Sequence, residues 1–113
     1  MRIVRDKIPL AELRTLAEET FGDLVKAVVD VKRRIMAVGG ELHADEETLL
    51  LEDDSSQQDL WCFNLYPELN GERWIEFDSV INIRPSQGNR SRNVDDLEVR
   101  RVILAIVGEL VAR

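Results

Sequence analysis

The sequence predicts an α+β domain: a single antiparallel sheet of about four to six strands, with an N-terminal and a C-terminal helix packed on one face. Three observations predict it. Short segments of period-two apolar alternation recur through the middle of the chain. A helical repeat lies on either side of them, and Asn70-Gly71 falls between two of the strand patterns where a hairpin would turn.

The elements follow in order. Arg2 to Val4 reads as a short edge strand, and Pro9 suits the start of a helix because its φ is fixed and it has no N–H to lose. Leu13, Leu16, Ala17, Thr20 and Phe21 recur at helical spacing opposite Glu12, Arg14, Glu18 and Glu19, and Gly22 is the stop. From Leu24 to Val31 the odd positions are apolar while Lys26 and Asp30 face the other way, as in a half-buried strand. Lys32-Arg33-Arg34 interrupts the pattern and Ile35 to Val38 resumes it, which makes a hairpin without a glycine in its turn. Gly39-Gly40 bends the chain before Glu41 to Asp45.

Asp45 to Leu51 suits either a short helix begun by Asp45 or a strand, and the strand is the reading adopted. Leu60 to Tyr66 is a strand with Trp61, Phe63 and Leu65 on one face and Cys62 as a small buried residue, ended by Pro67. From Trp74 a long strand is predicted to run to Arg84, with Ile75, Phe77, Ile81 and Ile83 towards the core and Glu76, Asp78, Asn82 and Arg84 away from it. No apolar side chain larger than proline occurs between Arg84 and Val94. The final helix has Asp95 as cap, Glu98 as the other half of a capping box, and Val94 with Val99 as staple. Leu104, Val107 and Val111 widen its stripe of Val99, Val102, Ile103, Ile106 and Leu110, which predicts deep burial or a homodimer through this helix.

With 113 residues, 44% of them hydrophobic, the chain matches one compact domain. There is no apolar run long enough to cross a membrane and no secretion signal at the start, so a cytoplasmic location is expected. One cysteine excludes an internal disulfide. The formal charge of -7 is uneven: Gly39 to Asp59 holds eight acids and no lysine or arginine, so the rest of the chain carries +1 (-7 against -8). That acidic segment opposes any long-range attraction of nucleic acid. The aromatic residues Trp61 and Phe63 share a face with Leu65, which favours core packing over base stacking.

Two constellations carry chemistry. Arg84, Gln87, Asn89, Arg90 and Ser91, with Asp78 and Asn82 leading towards them on the strand, supply guanidinium forks and a glycine turn at Gly88 suited to an anionic small molecule or partner bearing phosphate or carboxylate. His43 beside Asp45 could act in proton transfer, and in a strand the two would share a face. One histidine among scattered acids lacks any recognised metal spacing, and no phosphate-loop, dinucleotide or nucleophile-elbow pattern occurs, so neither metal nor cofactor is expected.

GGELHAD at Gly39 to Asp45, LWCFNLYP at Leu60 to Pro67 and IEFDSVINIRPSQGNRS at Ile75 to Ser91 together resemble a family of small bacterial and archaeal single-domain proteins classed as a domain of unknown function. The resemblance covers nearly the whole chain and implies a stand-alone protein, but no activity. The chain departs from the family pattern at Cys62 and Asp54, where glycine is usual. Three readings stay open: a binding or regulatory domain for an anionic ligand through residues 84–92, a small hydrolase of nucleotide or RNA phosphodiesters using His43 with Arg84 and Arg90, and an interaction module without a small ligand.

Overall fold

A computed structural model describes all residues from Met1 to Arg113. Strands β1 (Arg2–Val4), β3 (Val25–Asp30), β4 (Ile35–Val38), β5 (Leu60–Leu65) and β6 (Ile75–Glu76) form one sheet in the order β1-β4-β3-β5-β6, every neighbouring pair antiparallel. Two further pieces, β2 (Ile8–Pro9) and β7 (Val111–Ala112), pair in parallel and bring the two ends of the chain together. The helices are α1 (Leu10–Glu19), α2 (His43–Glu52) and α3 (Leu97–Leu110). No helix is long and apolar enough to cross a membrane.

Helices α1 and α3 lie on the predicted face. Val25, Ala27 and Val29 of β3 and Trp61, Phe63 and Leu65 of β5 join Leu13, Ala17, Ile103 and Ile106 in a cluster of 20 buried residues. The other face is not polar, as the alternation had suggested. Val28, Ile35, Ala37, Leu60 and Cys62 pack with Leu50 of α2 in a second cluster, so both central strands are covered on both sides.

Helix α2 replaces the strand expected at Asp45 to Leu51. Seven of the ten residues of its sequence, HADEETLLLE, are strong helix formers, and Asp45 sits in the first turn where the dipole favours negative charge. Period-two alternation is absent there, and a run of three leucines serves a helix face and a strand equally well. The helix ends in a turn in which Asp54 adopts φ 73, the left-handed conformation that glycine takes most easily.

Two turns use unexpected chemistry. The β3–β4 hairpin turns without glycine because the buried carboxylate of Asp30 accepts from the N–H groups of Lys32 and Arg33, each at 2.9 Å, and from the Ser55 hydroxyl at 2.7 Å. Arg34 then takes φ 58. The β5–β6 pairing is present, but Asn70 is extended and only Gly71 has positive φ, at 60°, so the connection is a longer loop closed by Tyr66 N–H on the Trp74 carbonyl at 2.8 Å.

At the C-terminal helix the cap is Asp96, which accepts from Glu98 N–H at 2.8 Å and Val99 N–H at 3.4 Å. Asp95, the expected cap, instead takes the Arg90 N–H and the Ser91 hydroxyl. Val107 and Val111 are buried in the chain's own core; of the widened stripe only Leu104 is exposed.

Candidate functional site

The strand predicted from Trp74 to Arg84 ends at Glu76, after which the chain leaves the sheet in short helical turns at Val80–Asn82 and Pro85–Gln87. Ile75 and Phe77 pack on the first core, Ile81 packs on the second, and Ile83 is exposed, so the predicted common face does not exist. Departure of β6, which pairs only Asn64 and Leu65, leaves the other four residues of β5 without a strand partner on that side. Side chains take its place. The Asn82 amide accepts from Cys62 N–H and donates to the Cys62 carbonyl, both at 2.9 Å, copying one rung of a ladder. Arg84 donates to the carbonyls of Leu60 and Gln57 while its guanidinium lies 4.2 Å from the centre of the Trp61 ring. An open sheet edge is thereby sealed without a strand.

The rest of the glycine loop holds that seal in place. Asn89, nearly fully buried, donates to the carbonyls of Asn82, Ser91 and Asn93 and accepts from Asp95 N–H at 2.8 Å. Gln87 donates to the Gln58 carbonyl at 3.1 Å, and Ser91 to Asp95 at 2.5 Å. Asp78 pairs with Arg92 at 2.5 Å. Of the residues proposed for an anion pocket, Asn82, Arg84, Gln87, Asn89 and Ser91 turn their polar atoms onto this chain, and Arg90 alone forms no ion pair or side-chain hydrogen bond.

His43 is the first residue of α2, and its Nε2 lies 2.8 Å from the Phe63 carbonyl. A carbonyl only accepts, so Nε2 carries the proton and Nδ1 keeps its lone pair. Asp45, two residues on, points about 200° away around a helix and is exposed, so the expected His43–Asp45 partnership is not made. Other residues meet His43 instead. Lys26, Asn64 and Glu76 form a cross-strand row over β3, β5 and β6. The Asn64 amide donates to Glu76 Oε1 at 2.9 Å, and the Tyr66 hydroxyl donates to the same oxygen at 3.0 Å. Asn64 is buried and its Oδ1 has no partner.

The electrostatics of this cluster are consistent with its composition. Burial pulls the His43 pKa below its ordinary 6.5, helped by the Lys26 charge, while the bond to Phe63, the proximity of the Asn64 side chain and the charge of Asp78 act against it; the imidazole is neutral at pH 7. Burial and then Glu76 raise the Tyr66 pKa, keeping its hydroxyl a donor. Of the atoms without a hydrogen-bond partner, Asn64 Oδ1, Glu76 Oε2 and His43 Nδ1 are acceptors, and Lys26 Nζ, 5.1 Å from the centre of the Phe21 ring, is a donor. No group of three or more His, Cys, Asp or Glu side chains is arranged to hold a metal.

Asn64, Tyr66 and Glu76 were missed because an alternating strand makes polar residues look merely solvated. One signal was available: Asn64 interrupts the apolar run of LWCFNLYP, where a polar side chain needs a partner.

The fold and this cluster define a small α+β protein with a row of polar side chains, Lys26, Asn64 and Glu76, across the sheet face that α2 covers. The chain belongs to the family described as protein of unknown function, DUF5674, whose sequence model matches residues 2–110. No curated protein and no solved structure matches it.

Proposed function

We propose that the domain is a binding protein for a small polar ligand held where β5, β6 and the start of α2 meet, with His43 accepting a proton or hydrogen bond from it. The observation that carries this reading is the buried, unpartnered Asn64 Oδ1, because a buried acceptor without a donor costs about 1–3 kcal/mol and a ligand donor would remove that cost. His43, Asn64, Tyr66 and Glu76 come from three separate sequence motifs, and their free acceptors ask for a hydrogen-bond donor such as an amine or hydroxyl, with the Lys26 ammonium beside Asn64 able to hold an acceptor on the same ligand. The loop at 84–92 is the weaker anion site, since a ligand there would have to displace Arg84 from two carbonyls. The hydrolase reading loses its oxyanion partner for the same reason, as the charges acting on His43 are those of Lys26 and Asp78.

The test is a nitrogen-15 NMR titration with a panel of small amines, alcohols and inorganic phosphate. Donor-bearing compounds are expected to shift the Asn64 side-chain amide and the His43 imidazole, and Asn64→Ala to abolish those shifts while the protein stays folded. Phosphate shifting Arg84 and Arg90 resonances, with amines and alcohols silent, would return the site to the glycine loop.

A further inference from the structure

We infer that α3 and the free edge of the sheet form a docking groove for an acidic amphipathic helix of a partner protein. Independently of the polar row, the chain carries a groove of ≈ 530 Å³ with Ile75 and Phe77 as its floor and Leu97, Arg100, Arg101 and Leu104 of α3 as its wall. Leu97 is 72% exposed and Leu104 48%. They stand seven residues apart, two turns and about 10 Å along one face of the helix, with both arginines between them. Large apolar side chains at this spacing beside an apolar floor are the anchors of helix-in-groove recognition.

Charge selects the occupant. On a chain of net charge -7, this groove sets two guanidiniums against a single carboxylate, Glu72. Arg101 holds only the exposed i,i+3 pair with Glu98 at 3.3 Å, and Arg100, which stacks on Phe77 and donates to Asn93, keeps a buried Nε–H without a partner. A helix with carboxylates between two leucine-like anchors satisfies both demands. An extended strand fits less well, because the free edge at β6 is two residues long and offers few ladder bonds. A two-fold dimer through this face fits less well still, because it would set Arg100 and Arg101 against their own copies.

The experiment uses the full chain and two synthetic helical peptides identical except at the positions between their leucines, which are glutamate in one and lysine in the other. Fluorescence anisotropy should show binding of the glutamate peptide alone, weakened at least tenfold by the double variant Arg100→Glu/Arg101→Glu and by Leu97→Ser/Leu104→Ser. All four side chains lie at the surface or its margin, and unchanged melting temperatures would show that the variants fold. Binding of both peptides alike, of neither, or of the glutamate peptide to the leucine variant with full affinity would overturn the inference. Self-association in ultracentrifugation that the arginine variant abolishes would overturn it too, by making a second copy of the chain the occupant.

Discussion

Replacing Glu46 with glutamine should remove the loss of stability that this one carboxyl causes as pH rises. Glu46 is fully buried on α2; Oε2 accepts the Gly40 N–H at 3.0 Å, and Oε1 has no partner. Burial pushes its pKa from 4.5 up to about 9, against the smaller pull of the Gly40 bond and Lys26. The folded chain therefore keeps this proton at pH 7 and the unfolded chain releases it. Below pH 4.5 both states are protonated and the site costs nothing. Between 4.5 and about 9 folding takes up a proton, so stability falls as pH rises, by about 1.4 kcal/mol per pH unit and about 3 kcal/mol by pH 7, and it levels off above 9. Glutamine keeps the acceptor for Gly40 but brings an NH₂ group in place of one O–H, a cost of about 1–3 kcal/mol in an unpartnered position. Glu46→Gln should then be less stable than wild type by about 1 kcal/mol at pH 5, equal to it near pH 6, and more stable by about 3 kcal/mol at pH 8. Urea denaturation of both proteins across pH 5 to 8 measures this, and all other titrating groups cancel in the difference. A difference that stays flat over that range would refute the argument.

Three other outcomes follow from the same contacts. Asn82→Ala leaves the Cys62 N–H and the Cys62 carbonyl without partners, while the Arg92 carbonyl keeps the Ser79 N–H at 3.0 Å, and should cost about 2–4 kcal/mol in urea unfolding with faster exchange of the Cys62 amide; a loss under about 1 kcal/mol would mean that water seals the edge as well as the amide does. Cys62, fully buried and with its pKa pushed up to about 12 by burial, should resist thiol reagents at pH 8 until denaturant is added, and stoichiometric labelling of the native protein would contradict this. The His43 imidazole should titrate below 6.5 by NMR, and its contribution to stability should be complete above pH 6.5 and shrink as pH falls from there towards the folded pKa; a midpoint at or above 6.5 would show the ring to be solvated.

Periodicity made the first core legible, because a strand with one apolar face announces both the face and its covering helices. It fails where both faces are buried. In β3 and β5 the even positions Val28, Leu60 and Cys62 already broke the alternation, and those three residues pack in the second core with α2. Segment 77–84 shows a different failure. Its sequence alternates as a strand does, yet Asn82 and Arg84 meet β5 through their side chains rather than their backbone. An amide side chain carries the same donor and acceptor as a peptide group, so Asn82 can complete a ladder rung from a backbone that is not extended, and no pattern of polarity separates the two cases. The same ambiguity made the loop look like an anion site: arginine and asparagine suit phosphate for the reason that they suit backbone carbonyls, which is convergent donors. What distinguishes them is count. Asn89 and the two terminal nitrogens of Arg84 find carbonyls within the chain, although Arg84 Nε finds none, whereas Asn64 Oδ1 is an acceptor without a donor. Unsatisfied capacity recurs at Glu46 Oε1, Glu47 Oε2, Arg84 Nε and Arg100 Nε, so what sets Asn64 apart is its company: it stands between Lys26 and Glu76 in one cross-strand row, next to the Phe63 carbonyl that His43 holds.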